Sequence, residues 1–148
     1  MPQYRAGDRQ LQELAADQEL VAAISTVEPG LAILQNNRLY RRNEFPVMLL
    51  LSTGIERILK VVLHLATYHT AGQFGRIEFT HNLIALRSQV LVRVFTSEYL
   101  WKPNMHADRD YLANDELLGV MIEVLAIFAD ARRGSRYVHM DSIADPRS

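Results

Sequence analysis

The feature that most constrains the fold of this chain is a strongly apolar stretch from Phe45 to Leu65. Its apolar residues recur at helical spacing and cover most of the circumference of a helix, so nearly every side of that helix must be buried. Asn43 is a plausible N-cap, and Pro46 suits the first turn that follows it. We therefore predict a helix over Pro46–Tyr68 at the centre of the fold.

One polar stripe interrupts this apolar surface, formed at helical spacing by Ser52, Thr53, Glu56, Lys60 and His64. Glu56 and Lys60 are four residues apart in the favourable orientation for a surface ion pair. Alternatively, a carboxylate on an otherwise buried helix faces a shared cleft and orients a cation or an imidazole, because an unpaired buried charge is costly. The charged groups also make the stretch a poor membrane span, so we expect a soluble protein.

The rest of the chain is also patterned for helices. A first helix is expected from about Asp8 to the Ala22–Ile24 region, with an interruption or kink at Glu28-Pro29-Gly30 and a short helical piece over Leu31–Tyr40. Its candidate apolar contacts are Leu11, Leu14, Leu20, Val21 and Ile24.

Helix-capping residues and loops are expected further along the chain. Thr80 or Asn82 caps the next helix, a polar loop leads to Asn114, and Asn114-Asp115-Glu116 opens a final helix that contains Leu117, Leu118, Met121, Val124, Leu125 and Phe128. Strand patterns are absent apart from the β-prone Arg76–Phe79. The pattern predicts an all-α, single-domain bundle of four to five antiparallel helices over residues 1–148, with 1–42 as an N-terminal helical region.

Charge and residue counts exclude several functions. Sixteen basic and seventeen acidic side chains leave a net charge of −1, which argues against coating nucleic acid by bulk charge but leaves room for a local basic patch. The chain has no cysteine, which excludes disulfides, thiol catalysis and thiolate metal sites and is compatible with the cytoplasm. The five histidines include no pair at the spacing of a helical zinc site, so we expect no metal and no cofactor.

The chemistry-bearing residues crowd together after the last apolar helix: Arg132, Arg133, Arg136, Tyr137 and His139. Guanidinium forks bind phosphate through two hydrogen bonds, and an imidazole transfers protons near neutral pH. The alternative is a basic helix C-terminus, where arginines favour the negative end of the helix dipole.

The spacing of Arg133 and His139, with five residues between them, resembles the signature of HEPN domains. These are helical bundles that include ribonucleases of prokaryotic defence and toxin systems. The segment from Gly54 to Lys60 is similar to the glutamate-and-lysine helix common in that family. Thr80-His81-Asn82-Leu83 resembles its His-Asp-Leu helix start, with Asn82 in place of aspartate, although a helix-start residue without chemistry also explains His81. The resemblance spans residues 43–141.

The resemblance implies a homodimer in which two arginine–histidine pairs line one cleft and cleave RNA without metal. Arg133 and His139 would be the catalytic pair, and Arg133 would stabilise charge on the phosphate while His139 moves protons. The phosphate- and RNA-binding residues would be Arg132, Arg136 and Tyr137, and the supporting residues would be Glu56 and Lys60.

Two other functions remain open from the sequence. Gly134 follows Arg133 where active family members usually carry a polar residue, which favours a catalytically inactive helical module that binds an antitoxin-like protein partner or self-associates. A bundle that binds a small molecule, with the polar stripe lining its pocket, is the third hypothesis.

Overall fold

The computed structural model describes residues 6–36, 44–72, 74, 80–95 and 103–130. These residues form five helices and no strand: α1 (Ala6–Gln35), α2 (Glu44–Ala71), α3 (Leu83–Arg93), α4 (Pro103–Asn114) and α5 (Glu116–Ala129). The predicted all-α bundle is therefore confirmed. Two predicted features, the Asn43 cap and the β-prone Arg76–Phe79 piece, lie outside the described residues.

The core forms where α2, α3 and α5 meet, as the apolar coverage of α2 predicts. It consists of Val47, Leu51, Leu59, Leu63, Leu83, Leu86, Val90, Ile122 and Leu125. The ring of Phe128, near the end of α5, packs edge-on against Phe45 with the centroids 5.4 Å apart, so the end of α5 lies beside the start of α2. Gly72 has a positive φ of 69°, a backbone conformation that glycine adopts without strain, and it follows the last residue of α2.

The first helix differs from the prediction, because α1 runs without interruption through Pro29. A proline inside a helix leaves the carbonyl four residues earlier without its partner. Pro29 and Ser25 both lie on the exposed side of α1, where water can bond that carbonyl. The helix therefore continues over Leu31–Gln35, where a separate piece was expected.

Close packing at two glycines joins α1 to α2. A Cβ atom added to Gly54 would overlap Val27 Cγ2 and lie 3.1 Å from the carbonyl oxygen of Ala23. One added to Gly30 would lie 2.9 Å from two side-chain atoms of Leu51. The expected contacts of α1 were its large apolar residues, but Leu11, Leu14, Val21 and Ile24 are all exposed. The prediction is therefore wrong for these four residues, and the fifth, Leu20, is half-buried. The large apolar residues of α1 that pack against the core are instead Val27, Ile33 and Leu34.

Polar groups fix the ends of the shorter helices. Asn82 caps α3 as predicted, because its Oδ1 accepts hydrogen bonds from the backbone N–H of Ile84 and Ala85. The expected polar loop before Asn114 is instead α4, and the guanidinium of Arg87 donates to the last carbonyls of that helix, at Leu112 and Ala113. The N-cap of α5 is Asp115, within the predicted start Asn114-Asp115-Glu116, and its side chain accepts from Leu118 N–H.

One face of α5 stays exposed although its residues are apolar. Leu117 is 79% exposed and Ile127 is 64% exposed, with Val120 at 52% and Val124 at 47% between them. Leu117 and Val124 are among the apolar residues by which the sequence indicated this helix. The spacing of these four residues places them on the side of the helix opposite Ile122 and Leu125, the side chains that α5 contributes to the core.

Candidate functional site

A buried carboxylate on α2 forms the centre of the polar cluster that the structure describes. Glu56 Oε1 lies 2.5 Å from Lys60 Nζ and 2.9 Å from His81 Nδ1. The side chains of Glu56 and Lys60 are only 10% and 16% exposed, whereas that of His81 is 71% exposed. We call Glu56, Lys60 and His81 the Glu56 cluster.

Two different parts of the chain supply this cluster. Glu56 and Lys60 lie one turn apart near the middle of α2, which is the spacing of an intrahelical ion pair. His81 immediately precedes the cap of α3. The backbone around it is fixed, because Asn82 N–H donates to Thr80 Oγ1 while Asn82 Oδ1 caps the helix. The start of α3 therefore presents the imidazole to the middle of α2.

The hydrogen-bonding pattern determines which nitrogen of His81 carries the hydrogen. An ionised carboxylate only accepts, so Nδ1 of His81 donates to Glu56 and Nε2 of the neutral ring keeps its lone pair. Lys60 supplies the opposite charge that a buried carboxylate requires. The arrangement can hold an exposed imidazole in one tautomer and can stabilise the imidazolium if Nε2 takes up a proton.

Both interpretations of the polar stripe therefore describe part of what is observed. The predicted ion pair between Glu56 and Lys60 is present, and the same carboxylate also orients an imidazole, as the alternative proposed. Sequence spacing gave no sign that His81 is its partner, since 25 residues separate His81 from Glu56. The one signal was the resemblance of Thr80-His81-Asn82-Leu83 to a family motif, for which a helix-start residue without chemistry was the simpler explanation.

The arginine–histidine segment, with Arg132, Arg133, Arg136, Tyr137 and His139, lies outside the described residues. The description of α5 ends at Asp130, whose backbone N–H donates to the carbonyl of Ala126. The roles assigned to these five residues therefore stay predictions.

A second set of charged contacts joins α1 to α2. Arg57 donates to both carboxylate oxygens of Glu19, at 2.5 Å and 3.0 Å, and these hydrogen bonds lower the pKa of Glu19. The Tyr68 hydroxyl donates to Glu13, which also accepts from Arg9. Both hydrogen bonds lower the pKa of Glu13, and the one from Tyr68 has the larger effect. Burial alone lowers the pKa of His64. The contacts of Glu19 with Arg57 and of Glu13 with Tyr68 hold α1 and α2 in register.

An apolar groove lies where the end of α1, the start of α2 and the outer part of α5 meet. It encloses about 250 Å³, and its lining includes Leu34, Met48, Met121 and Val124. Val124 also belongs to the exposed apolar face of α5, so the groove and that face are continuous. In the part of the chain that the structure describes, no three histidine or carboxylate side chains are grouped to hold a metal ion.

Two further findings bear on the class of protein. None of the five described helices is both long enough and apolar enough to cross a membrane. No family model, curated protein or solved structure matches the chain.

Proposed function

We propose that this chain is a HEPN-like RNA-binding protein that cleaves RNA without metal at a homodimer cleft. Arg133 would stabilise charge on the phosphate, and His139 would transfer protons. Arg132, Arg136 and Tyr137 would hold the RNA backbone, and Glu56 and Lys60 would support the site. A role in prokaryotic defence or in a toxin–antitoxin pair, in the cytoplasm and with an antitoxin-like partner, is part of this proposal.

The observation that carries the proposal is the hydrogen bond between Glu56 and His81. The resemblance rests on three short segments, and this bond brings two of them together: the glutamate-and-lysine helix and the segment around His81. The third segment begins within a few residues of the end of α5, whose inner face packs on α2 and α3.

The test is cleavage of a generic single-stranded RNA by the unmodified chain, Arg133→Ala and His139→Ala, each with and without chelator. Loss of a proton-transfer group lowers the rate by about a hundredfold to ten-thousandfold, so both variants should be nearly inactive while the chelator has no effect. Equal cleavage by all three proteins would point to a contaminating nuclease. Absence of cleavage by the unmodified chain would refute the catalytic proposal.

The second candidate function is a catalytically inactive module that self-associates, and the exposed apolar face of α5 favours it. The four side chains together expose about as much surface as two and a half fully exposed aliphatic residues. In a symmetric dimer the same face is used twice, which gives roughly 7–14 kcal/mol of favourable transfer free energy. Association costs roughly 4–15 kcal/mol, so this face alone supports a weak dimer.

This surface can be tested by placing a charge within it. Val120→Glu should convert a dimer to a monomer in light scattering at micromolar concentration, because the carboxylate would be buried without a partner. The matched control is Val92→Glu on α3, where an equally apolar and more exposed residue lies outside the α5 face. A monomeric unmodified chain, or equal effects of the two substitutions, would exclude this surface as the interface.

A further inference from the structure

The exposed apolar face of α5 follows a heptad pattern. Leu117 and Val124 are seven residues apart, and Val120 and Ile127 repeat that spacing three residues further along. This is the a and d spacing by which one helix packs along another. The four side chains are between 47% and 79% exposed, although the other side of α5 forms part of the core. The face is therefore patterned to receive a second helix, and none of the described helices covers it.

A row of carboxylates runs beside the apolar residues. Glu116 and Glu123 are exposed and immediately precede Leu117 and Val124, so they lie along one edge of the apolar face. Glu116 is in the first turn of α5, where a negative charge suits the helix dipole, but Glu123 lies mid-helix and has no such role. Among the described residues neither glutamate takes part in an ion pair. Both carboxylates are therefore available to a partner.

The groove between α5, the end of α1 and the start of α2 borders the apolar face on the side away from these glutamates. It meets the face at Val124 and encloses about 250 Å³. A cavity of about 150 Å³ already holds a benzene ring, so the groove has room for one large apolar side chain. Met48 and Met121 line it, and methionine adapts its shape to a partner. Glu44 adds a third exposed carboxylate to its lining.

The three segments that form this surface contain no lysine, arginine or histidine. Arg87 of α3 comes near Gly119, but its guanidinium donates to carbonyls at the end of α4. The whole chain has sixteen basic and seventeen acidic side chains, so the acidity is a local property of this surface. The charged residues of segments 31–36, 44–55 and 115–130 are Glu44, Asp115, Glu116, Glu123 and Asp130.

We propose that this surface binds a basic amphipathic helix of another protein. The apolar residues of that helix pack on the a and d positions of α5, one large apolar side chain fills the groove, and its lysines or arginines face Glu116 and Glu123. RNA and anionic lipid do not fit, because their phosphates would face the same carboxylates. A second copy fits less well, since an antiparallel pair of α5 helices sets the acidic row against its own copy.

The probes for this surface are two synthetic helical peptides about three heptads long, with the same leucine a and d positions. One peptide is flanked by lysine and the other by glutamate. In fluorescence anisotropy with the full chain at low ionic strength, the lysine peptide should bind about tenfold or more tightly than the glutamate peptide. This preference should shrink at high salt. In methyl NMR the bound peptide should shift the signals of Met48 and Met121, whereas Met105 on α4 is the control that should not move.

Charge reversal tests the complementarity directly. Glu123→Lys should weaken binding of the lysine peptide by about fivefold and strengthen binding of the glutamate peptide. The matched control is Glu28→Lys, which reverses an exposed glutamate on α1 and should change neither affinity by more than about twofold. Ile127→Ser should weaken both peptides, whereas Val92→Ser, at an exposed apolar residue of α3, should weaken neither.

Several results would overturn the inference: no binding of the lysine peptide, equal binding of the two peptides, or equal effects of Glu123→Lys and Glu28→Lys. A shift of Met105 without shifts of Met48 and Met121 would place the peptide elsewhere. A dimer of the unmodified chain that Val120→Glu converts to a monomer would assign the face to a second copy. None of these measurements depends on RNA cleavage, so failure of this inference and failure of the proposed function are distinguishable.

Discussion

Replacing Gly54 by alanine should destabilise the protein, although alanine is the better helix former. Gly54 lies in the middle of α2 and faces α1. The added methyl group would overlap Val27 Cγ2 and would press on backbone atoms of α1, at 3.1 Å from the Ala23 oxygen and 3.2 Å from the Val27 nitrogen. Val27 is β-branched and cannot swing aside easily, so α1 itself must move.

The expected magnitude follows from two opposing effects. Alanine in place of glycine inside a helix gains about 1 kcal/mol. Overpacking a close contact costs about 1–3 kcal/mol, and the backbone contacts here put the cost at the upper end. The net loss is about 2 kcal/mol, which lowers the melting temperature by about 4–8 °C for a chain of this length.

Gly119 provides the matched control, because it also lies inside a helix and a methyl group there would have open space. The nearest atom to an added Cβ is the Arg87 Nη1 at 3.9 Å. Gly119→Ala should therefore gain about 1 kcal/mol and raise the melting temperature by about 2–4 °C. Thermal unfolding followed by circular dichroism, at one protein concentration, measures both. If Gly54→Ala raises the melting temperature as Gly119→Ala does, the close packing of α1 on α2 is refuted.

Three further predictions concern single interactions. Asn82→Ala and Asp115→Ala should each lower the free energy of unfolding by about 1 kcal/mol, because each removes a capping oxygen. Asp115→Ser keeps such an oxygen and should change the free energy of unfolding by only a few tenths of a kcal/mol. Equal losses for the two Asp115 variants in urea unfolding would contradict the capping role. Pro29→Ala should raise the free energy of unfolding by about 1–2 kcal/mol, because the restored N–H bonds the Ser25 carbonyl and outweighs the looser unfolded chain; a lower melting temperature would indicate that α1 depends on the proline. Hydrogen bonds from Arg57 lower the pKa of Glu19 below its usual 4.5, so their contribution to stability is present at neutral pH and is lost as the pH falls through the lowered pKa. The difference in free energy of unfolding between the unmodified chain and Arg57→Met, at most about 1 kcal/mol for so exposed a pair, should therefore shrink between pH 7 and pH 3 in urea titrations. A difference that stays constant over this range would contradict the role of Glu19.

The central helix and the caps could be predicted because their signals are local. Apolar coverage identified α2, and an i, i+4 spacing identified the pair of Glu56 and Lys60. A side-chain oxygen before an apolar run limited the cap of α3 to Thr80 or Asn82, of which the structure shows Asn82. Each of these depends on residues within about one turn of one another. Local patterns report such interactions directly.

The features that sequence reasoning missed depend on neighbours in space. The continuity of α1 depends on Pro29 lying on the exposed side of the helix, and α4 lacks an apolar stripe and is held partly by Arg87 of another helix. Large apolar residues of α1 were assigned to the core because hydrophobicity was the available measure. Only the approach of Gly54 to Val27 and to the Ala23 carbonyl shows that a glycine makes that contact possible. The partnership of His81 with Glu56 is non-local for the same reason.

The contact between α1 and α2 at Gly54 also leads to an expectation about how the molecule opens. Among the described helices the backbone of α1 approaches that of α2 alone. Burial of a methyl-sized side chain such as that of Ala23 contributes little to stability. The fully buried core of leucine, valine and isoleucine lies among the remaining helices, and α1 adds only the partly buried Val27, Ile33 and Leu34 at its edge. We therefore expect α1 to open as a unit while α2 stays within the core, and its backbone amides should then exchange with solvent deuterium before those of α2. Such an opening would expose the Gly54 surface of α2 while the other four described helices remain folded.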